Sequence, residues 1–153
     1  MHRWVDTAGT FFITKSPHPK KPILNPEARA VIVSAFRFAV ERERIYLRAF
    51  VVMLDHWHAL FALREPWTLP KLMHDFTSYV GRNTASILGT HDTNWQDGYY
   101  DTHVKTAKQF EYVAYYIEQN PVMKGLVDSP EQWDASSANH RDVVADPWVL
   151  IYG

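Results

Sequence analysis

From Ile45 to Leu63 the chain reads as almost unbroken extended structure, interrupted only at Leu54-Asp55, and β-branched, aromatic and aliphatic residues dominate both halves. Two strands joined by a tight turn at Leu54-Asp55 are the natural reading. Both halves are rich in apolar residues, which predicts that both strands are central in a sheet. Such a hairpin needs flanking elements to cover it. A chain of 153 residues supplies them within one domain, spanning 1–153, that buries roughly 70% of its unfolded surface. With 46% apolar and 22% charged residues, a disordered chain is excluded.

The flanking segments carry clear local signals. Gly9 to Lys15 is β-branched and aromatic between turn-formers and predicts a first strand. After a loop rich in Pro and Lys, Asn25-Pro26-Glu27 supplies an N-cap, a first-turn proline and an early acid. The helix it opens has Val31, Ile32, Ala35, Phe36 and Ala39 on its apolar side and is expected to end near Glu43. Thr68 caps a second helix running toward Leu88, with Gly89 as its exit. A short strand around Tyr99 to Val104 leads into a third helix from about Thr106 to Asn120, closed by Pro121. Beyond Val127 the composition predicts an irregular tail. The order strand, helix, strand, strand, helix, strand, helix predicts an α+β fold, the ferredoxin-like split βαβ sandwich. Its antiparallel sheet carries helices on one face, with a C-terminal helix added.

Composition narrows the chemistry. There is no Cys, which excludes disulfide scaffolds, Cys-ligated metal and thiol nucleophiles and suits a reducing cytoplasm. The start, Met-His-Arg-Trp-Val-Asp, lacks a signal-peptide core, and no run of apolar residues is long enough to span a membrane, so a cytoplasmic protein off the membrane is expected. Basic and acidic residues nearly balance, 16 against 17, so a nucleic-acid site would be local rather than an extended grip on duplex. Lys15, Lys20 and Lys21, and then Arg37, Arg42, Arg44 and Arg48, are local concentrations that also fit a solvated face.

Two places can do chemistry. In His56-Trp57-His58 strand alternation puts both imidazoles on one side, about 7 Å apart, with Trp57 in the opposite layer. The pair can share a metal ion, and equally can be packing or a polar strand edge. In the third helix, Phe110, Val113, Ala114 and Ile117 form the buried stripe, with Tyr112, Tyr116 and Asn120 along a neighbouring edge. Tyr116 and Asn120 are one turn apart, so a phenol and a carboxamide can lie beside the same cation; a tyrosine that simply packs fits the same pattern.

Four blocks in one order carry a resemblance. Val51-Val52-Met53-Leu54-Asp55-His56-Trp57-His58-Ala59-Leu60-Phe61 resembles the Val-Met-Pro-Asn/Asp-His-Val-His-Leu-Leu segment of the HUH tyrosine transposases, which act on single-stranded DNA. Trp95-Gln96-Asp97-Gly98-Tyr99-Tyr100-Asp101 is similar to the Trp-Gln-x-x-Tyr-x-Asp block of the REP-associated tyrosine transposases. Tyr116-Ile117-Glu118-Gln119-Asn120-Pro121-Val122-Met123-Lys124-Gly125-Leu126-Val127 resembles that group's Tyr-Ile-x-x-Asn-Pro-Val-x-x-Gly-Leu-Val signature. Ala135-Ser136-Ser137-Ala138 is similar to its Trp/Tyr-Ser-Ser-Ala element. Two positions depart: Leu54 replaces the usual proline, and Lys105 stands where arginine is common.

The resemblance implies the ferredoxin-like fold, His56 and His58 as metal ligands, Asn120 completing the ion's shell, Tyr116 as nucleophile, and Mg²⁺ or Mn²⁺ as the ion. Tyr115 is 100° round the helix and matches no motif position. A free phenol titrates near 10, leaving about 0.1% phenolate at neutral pH, so a base or the ion must help; His74 and His103 are candidate bases. The implied partner is single-stranded DNA whose imperfect palindromes fold into hairpins. Single-strand readers combine cations with stacking aromatics. Phe11, Phe12, Trp95, Tyr99 and Tyr100 are the aromatic materials, though strands also bury their aromatics. The candidate DNA contacts are Lys15, Arg64, Lys71, Arg82, Trp95, Tyr99 and Lys105. REP-associated members tend to act as monomers in cis and compact relatives as dimers in trans, so monomer and homodimer both stay open. Two rivals remain: a hairpin-binding protein of the same fold that no longer cuts, and a His-ligated metal hydrolase, a phosphoesterase acting on a small phosphate ester with no covalent intermediate.

Overall fold

The computed structural model describes residues 9–16, 23–89 and 98–146. Its four-stranded antiparallel sheet is built from β1 (Thr10–Lys15), β2 (Ile45–Val52), β3 (Trp57–Leu63) and β4 (Tyr100–His103), in the order β2-β3-β1-β4. Three helices complete it: α1 (Pro26–Glu41), α2 (Leu69–Ala85) and α3 (Ala107–Met123). This is the expected ferredoxin-like order. The predicted caps form, with Asn25 Oδ1 accepting from the Ala28 amide at 2.9 Å and Thr106 Oγ1 from the Gln109 amide at 3.1 Å. Among the described residues no helix is long and apolar enough to cross a membrane.

Cross-strand partners share a face, so the register divides the sheet into two sets. Val51, His58, Thr14 and Tyr100 form a row across one face, with Leu60, Phe12 and Thr102 in the next row. Phe50, Ala59, Ile13 and Asp101, then Val52, Trp57 and Lys15, lie on the other. α1 and α2 cover that second face: Phe36 stacks on Phe50 at 4.9 Å, meets Trp57 edge-on at 5.2 Å and packs on Phe76 at 4.8 Å. α3 lies on the first face, where Phe110, Val113, Ala114 and Ile117 pack against Ala49, Val51, Leu60 and Ala62.

Two expectations are corrected. β2 is an edge strand of the sheet, not a central one. Its apolar content is explained because both of its faces are covered and its outer edge is paired: Ser136 bridges Val51, the Val52 amide donates to Ala135 O at 2.8 Å, and the Ala145 amide donates to Leu47 O at 2.7 Å. The tail is irregular, as expected, yet docked through short 3₁₀ turns at Pro130–Gln132, Ser137–Asn139 and Arg141–Val143.

α3 also does not stop at Pro121. Proline removes one helical N–H, and at the last turn that loss is tolerated; the buried ring stays inside the helix. The stop is Gly125, at φ 73°: its amide donates to Val122 O at 2.9 Å and the Leu126 amide to Pro121 O at 2.9 Å, a Schellman closure. Asn120 therefore sits within a closed helix rather than at a frayed end. Gly125→Ala forces a Cβ into the left-handed region, and we expect it to lower unfolding stability by about 1 kcal/mol in a urea titration.

Candidate functional site

Two elements from distant parts of the chain build the site. The β2–β3 turn closes when the Met53 amide donates to His56 O at 2.8 Å, leaving Leu54 and Asp55 at the corner. His56 thus sits just before β3 and His58 within it, and their rings lie 4.7 Å apart, nearly perpendicular. Trp57 between them is fully buried in the α1/α2 layer, as alternation requires.

Each imidazole is oriented by a partner. His56 Nδ1 lies 2.7 Å from Asp55 Oδ1, a carboxylate that takes an Nδ1 proton and leaves the Nε2 lone pair outward. His58 Nδ1 lies 2.9 Å from Thr14 Oγ1, and with the proton on Nδ1 its Nε2 is likewise the free base. Burial, and then the charge of His56, lower the His58 pKa to about 4. A neutral imidazole at physiological pH is the ligating form.

That shift carries a stability consequence. Because the folded value lies below the ordinary 6.5, the unfolded chain binds more protons between these limits, and stability falls as pH drops through that window. In chelator-treated protein we expect a loss of roughly 3 kcal/mol between pH 7 and pH 4. Urea midpoints across that range check it, and His58→Leu should flatten the slope.

α3 brings the other two groups. Tyr116 meets His58 edge-on with ring centroids 5.9 Å apart and Phe12 at 6.2 Å. Tyr115 points elsewhere and is 65% exposed, so helical phase separates the two tyrosines. Asn120, one turn on, is 2% exposed, and its Oδ1 is buried with no hydrogen-bond partner among the described residues. An orphaned buried carbonyl oxygen is costly unless something binds it. It fits a hard cation, which two imidazole nitrogens and one amide oxygen would hold. Among the described residues no three of His, Asp and Glu converge on a metal position, so this donor set is neutral.

The candidate DNA contacts scatter more widely. Lys15 is only 3% exposed and its ammonium donates to Gly98 O at 2.6 Å, so it is an internal link rather than a surface cation. Arg64 lies about 20 Å along β3 from His58, over Tyr46 at 4.3 Å and beside Glu43 at 3.6 Å. Lys71 sits over Trp67 at 5.0 Å where α2 begins, and Arg82 is exposed in α2, across the sheet from Tyr116. Lys105 is exposed just before α3, whose start lies about 14 Å up the helix axis from Tyr116. Trp95 lies outside the described residues, as do Lys20 and Lys21. Tyr99 packs against the α1/α2 layer, where burial and then Asp101 raise its pKa.

Strand alternation gives the site-facing position to Tyr100, which is 77% exposed in the row of Thr14 and His58. Neither candidate base reaches Tyr116. His103 stacks on Phe11 at 5.2 Å on the other face of the sheet, and His74 is on α2. Two further groups belong here. Lys124, one turn beyond Asn120, lies close enough for its charge to oppose protonation of His58, and the i, i+4 spacing could have flagged it. Thr14 has no such signal, because strand pairing across 44 residues brings it to His58.

The family model "Transposase IS200 like" matches residues 11–120. The REP-associated tyrosine transposase of Escherichia coli K12 is 27% identical over 145 residues, covering 92% of this chain and 82% of that protein. Among solved structures, a REP-associated tyrosine transposase bound to a REP hairpin superimposes with a TM-score of 0.72 at 23% identity, over 89% of this chain and 79% of that one. A protein from Deinococcus radiodurans R1 described as a transposase superimposes with 0.53 at 16%, over 72% and 88% of the two chains. These two likenesses speak for the fold. The matched segment runs from β1 to Asn120 and takes in both histidines and Tyr116, and the chain belongs to the IS200-like transposase family.

Proposed function

We propose that this protein is a metal-dependent single-stranded DNA endonuclease and strand transferase that cuts near DNA hairpins through a 5′-phosphotyrosine on Tyr116. The observation that carries the reading is the meeting of the Tyr116 ring with His58 at 5.9 Å, one helical turn from the orphaned Asn120 oxygen. Mg²⁺ or Mn²⁺ held by His56, His58 and Asn120 would offset charge developing on a non-bridging phosphate oxygen. Tyr116 Oη attacks phosphorus in line, forming the phosphotyrosine as the bond to the 3′ oxygen breaks. The phenol proton passes to solvent or a base, and the departing 3′ oxygen takes one up. A second 3′-OH attacks the phosphotyrosine and returns the phenol, so the phosphoester linkage is conserved through strand transfer.

Asp55 and Thr14 hold the two rings so that their free nitrogens need no rearrangement. Two imidazoles and an amide carry no charge, so an ion held there would keep its charge for the phosphate, and DNA and metal should bind each other's complex more tightly than the free protein. The exposed Tyr100 on the same face offers a stacking surface beside the site.

The test uses a labelled single-stranded hairpin with flanking strand, Mn²⁺, and a denaturing gel. A covalent protein–DNA adduct that disappears with chelator is the expected result. Hairpin binding without adduct under any divalent ion would shift the assignment to the non-cutting binder, and turnover without adduct would shift it to the phosphoesterase.

A further inference from the structure

α3 rests on the sheet through an apolar stripe, and apolar contact is not directional. Directional bonds add to that packing in fixing how far along its axis the helix sits. Their source is the tail, which passes round the outer edge of β2 and bonds to helices on both faces. Toward the α1 side, Arg37 reaches Asp142 through two contacts of 2.7 and 2.9 Å. Toward α3, Arg141 donates twice to Glu118, at 2.7 and 2.7 Å. Adjacent tail residues therefore grip opposite layers.

The grip on α3 continues into the sheet. Ser137 Oγ donates to Glu118 Oε2 at 2.6 Å and accepts from the Phe50 amide at 3.1 Å. Trp133 Nε1 donates to Val52 O at 2.9 Å. Glu118 is thus fastened through Ser137 to β2 at Phe50, next to Val51, the residue paired with His58. It lies two positions from Tyr116 and two from Asn120. A two-point carboxylate–guanidinium fork plus a short hydroxyl bond is directional where the apolar stripe is not.

We propose that Glu118, held by Ser137 and Arg141, is a positioning residue that sets the register of α3 on the sheet and so the placement of Tyr116 and Asn120 against His56 and His58. This rests on the reading of those four residues as the reaction centre. The Glu118 side chain is 14% exposed and that of Arg141 54%, so the pair is open to solvent on one side and contributes little to global stability. Geometry is another matter, since a misplacement of about 1 Å at a reacting centre can cost about 10²-fold in rate.

The test compares Glu118→Gln, Arg141→Gln and the reversed pair Glu118→Arg with Arg141→Glu. Three readouts are taken: nuclear Overhauser contacts from the Tyr116 ring to His58 and Phe12, Mn²⁺ affinity without DNA by electron paramagnetic resonance, and the single-turnover adduct rate with hairpin affinity. The single variants should weaken or shift the ring contacts, lower Mn²⁺ affinity about 5- to 10-fold and slow the adduct step 10- to 100-fold. Hairpin affinity should stay within about twofold, and the reversed pair should recover part of the loss. Unchanged ring contacts and Mn²⁺ affinity in both single variants, with only a lower melting temperature, would overturn the proposal. If the unmodified protein forms no adduct, the reaction assignment falls, while the ring contacts still decide whether Glu118 sets the register. Arg141→Gln keeps the test open should the Glu118 variant not fold.

Discussion

Tyr116→Phe should abolish the covalent protein–DNA adduct while leaving hairpin affinity within about twofold. The change removes one oxygen and keeps the ring, so the edge-on contacts with His58 at 5.9 Å and Phe12 at 6.2 Å are retained. Stability should move by under about 1 kcal/mol, because Phe fills the same half-buried space. Loss of a nucleophile has no such tolerance. Residual cleavage could come only from water at the same phosphate, and a fall of at least about 10³-fold in the single-turnover rate is expected. A gel with both proteins on one labelled hairpin reads this directly. An adduct that persists would move the nucleophile to another residue, and Tyr115 is disfavoured because it faces away at 65% exposure.

Asn120→Ala is expected to separate stability from activity. Asn120 Oδ1 is buried with no hydrogen-bond partner among the described residues. Removing an unsatisfied buried oxygen relieves a cost of about 1–3 kcal/mol, against which stands the small cavity left behind. The chelator-treated variant should therefore be as stable as the parent, or more so. With Mn²⁺ the order reverses: the parent gains stability in proportion to occupancy, and the variant gains less. The adduct rate should fall on the order of 10²-fold, as when one transition-state partner of a developing negative charge is deleted. Thermal melts with and without Mn²⁺, beside the adduct assay, check both halves. A variant destabilised equally with and without metal would mean that the oxygen serves packing alone.

How much of this was legible depends on how far apart the determinants lie in the chain. Asn25, Thr68 and Thr106 announced their helices because a cap acts within one turn, and each occupies its cap position. His56 and His58 fell on one side and Trp57 on the other because alternation is a property of any strand. The pairing of Tyr116 with Asn120 follows from helical pitch.

The misreadings share one cause. β2 looked central because its residues are apolar on both sides; nothing local told that a tail some 80 residues later would cover its edge. Pro121 looked like a stop because a proline inside a helix costs one bond, whereas the closure is made further on by Gly125 and Leu126. Lys15 and Tyr99 looked like surface groups, yet the register turns both toward the α1/α2 layer and leaves Tyr100 on the site's face.

By itself the sequence determined the elements, their order, the faces of each strand and helix, and the motif blocks that name the reacting groups, because steric preference, capping and periodicity act over a few residues. Only the tertiary structure decided which of those faces meet. Thr14 with His58, Tyr116 with His58, the burial of Asn120 Oδ1 and the Glu118–Arg141 fastening all depend on the register of β1 against β3 and of α3 against β2. That register is chosen by packing and hydrogen bonding across tens of residues, where many pairings satisfy the local rules and only the one that buries both apolar faces and satisfies the edge of β2 is stable.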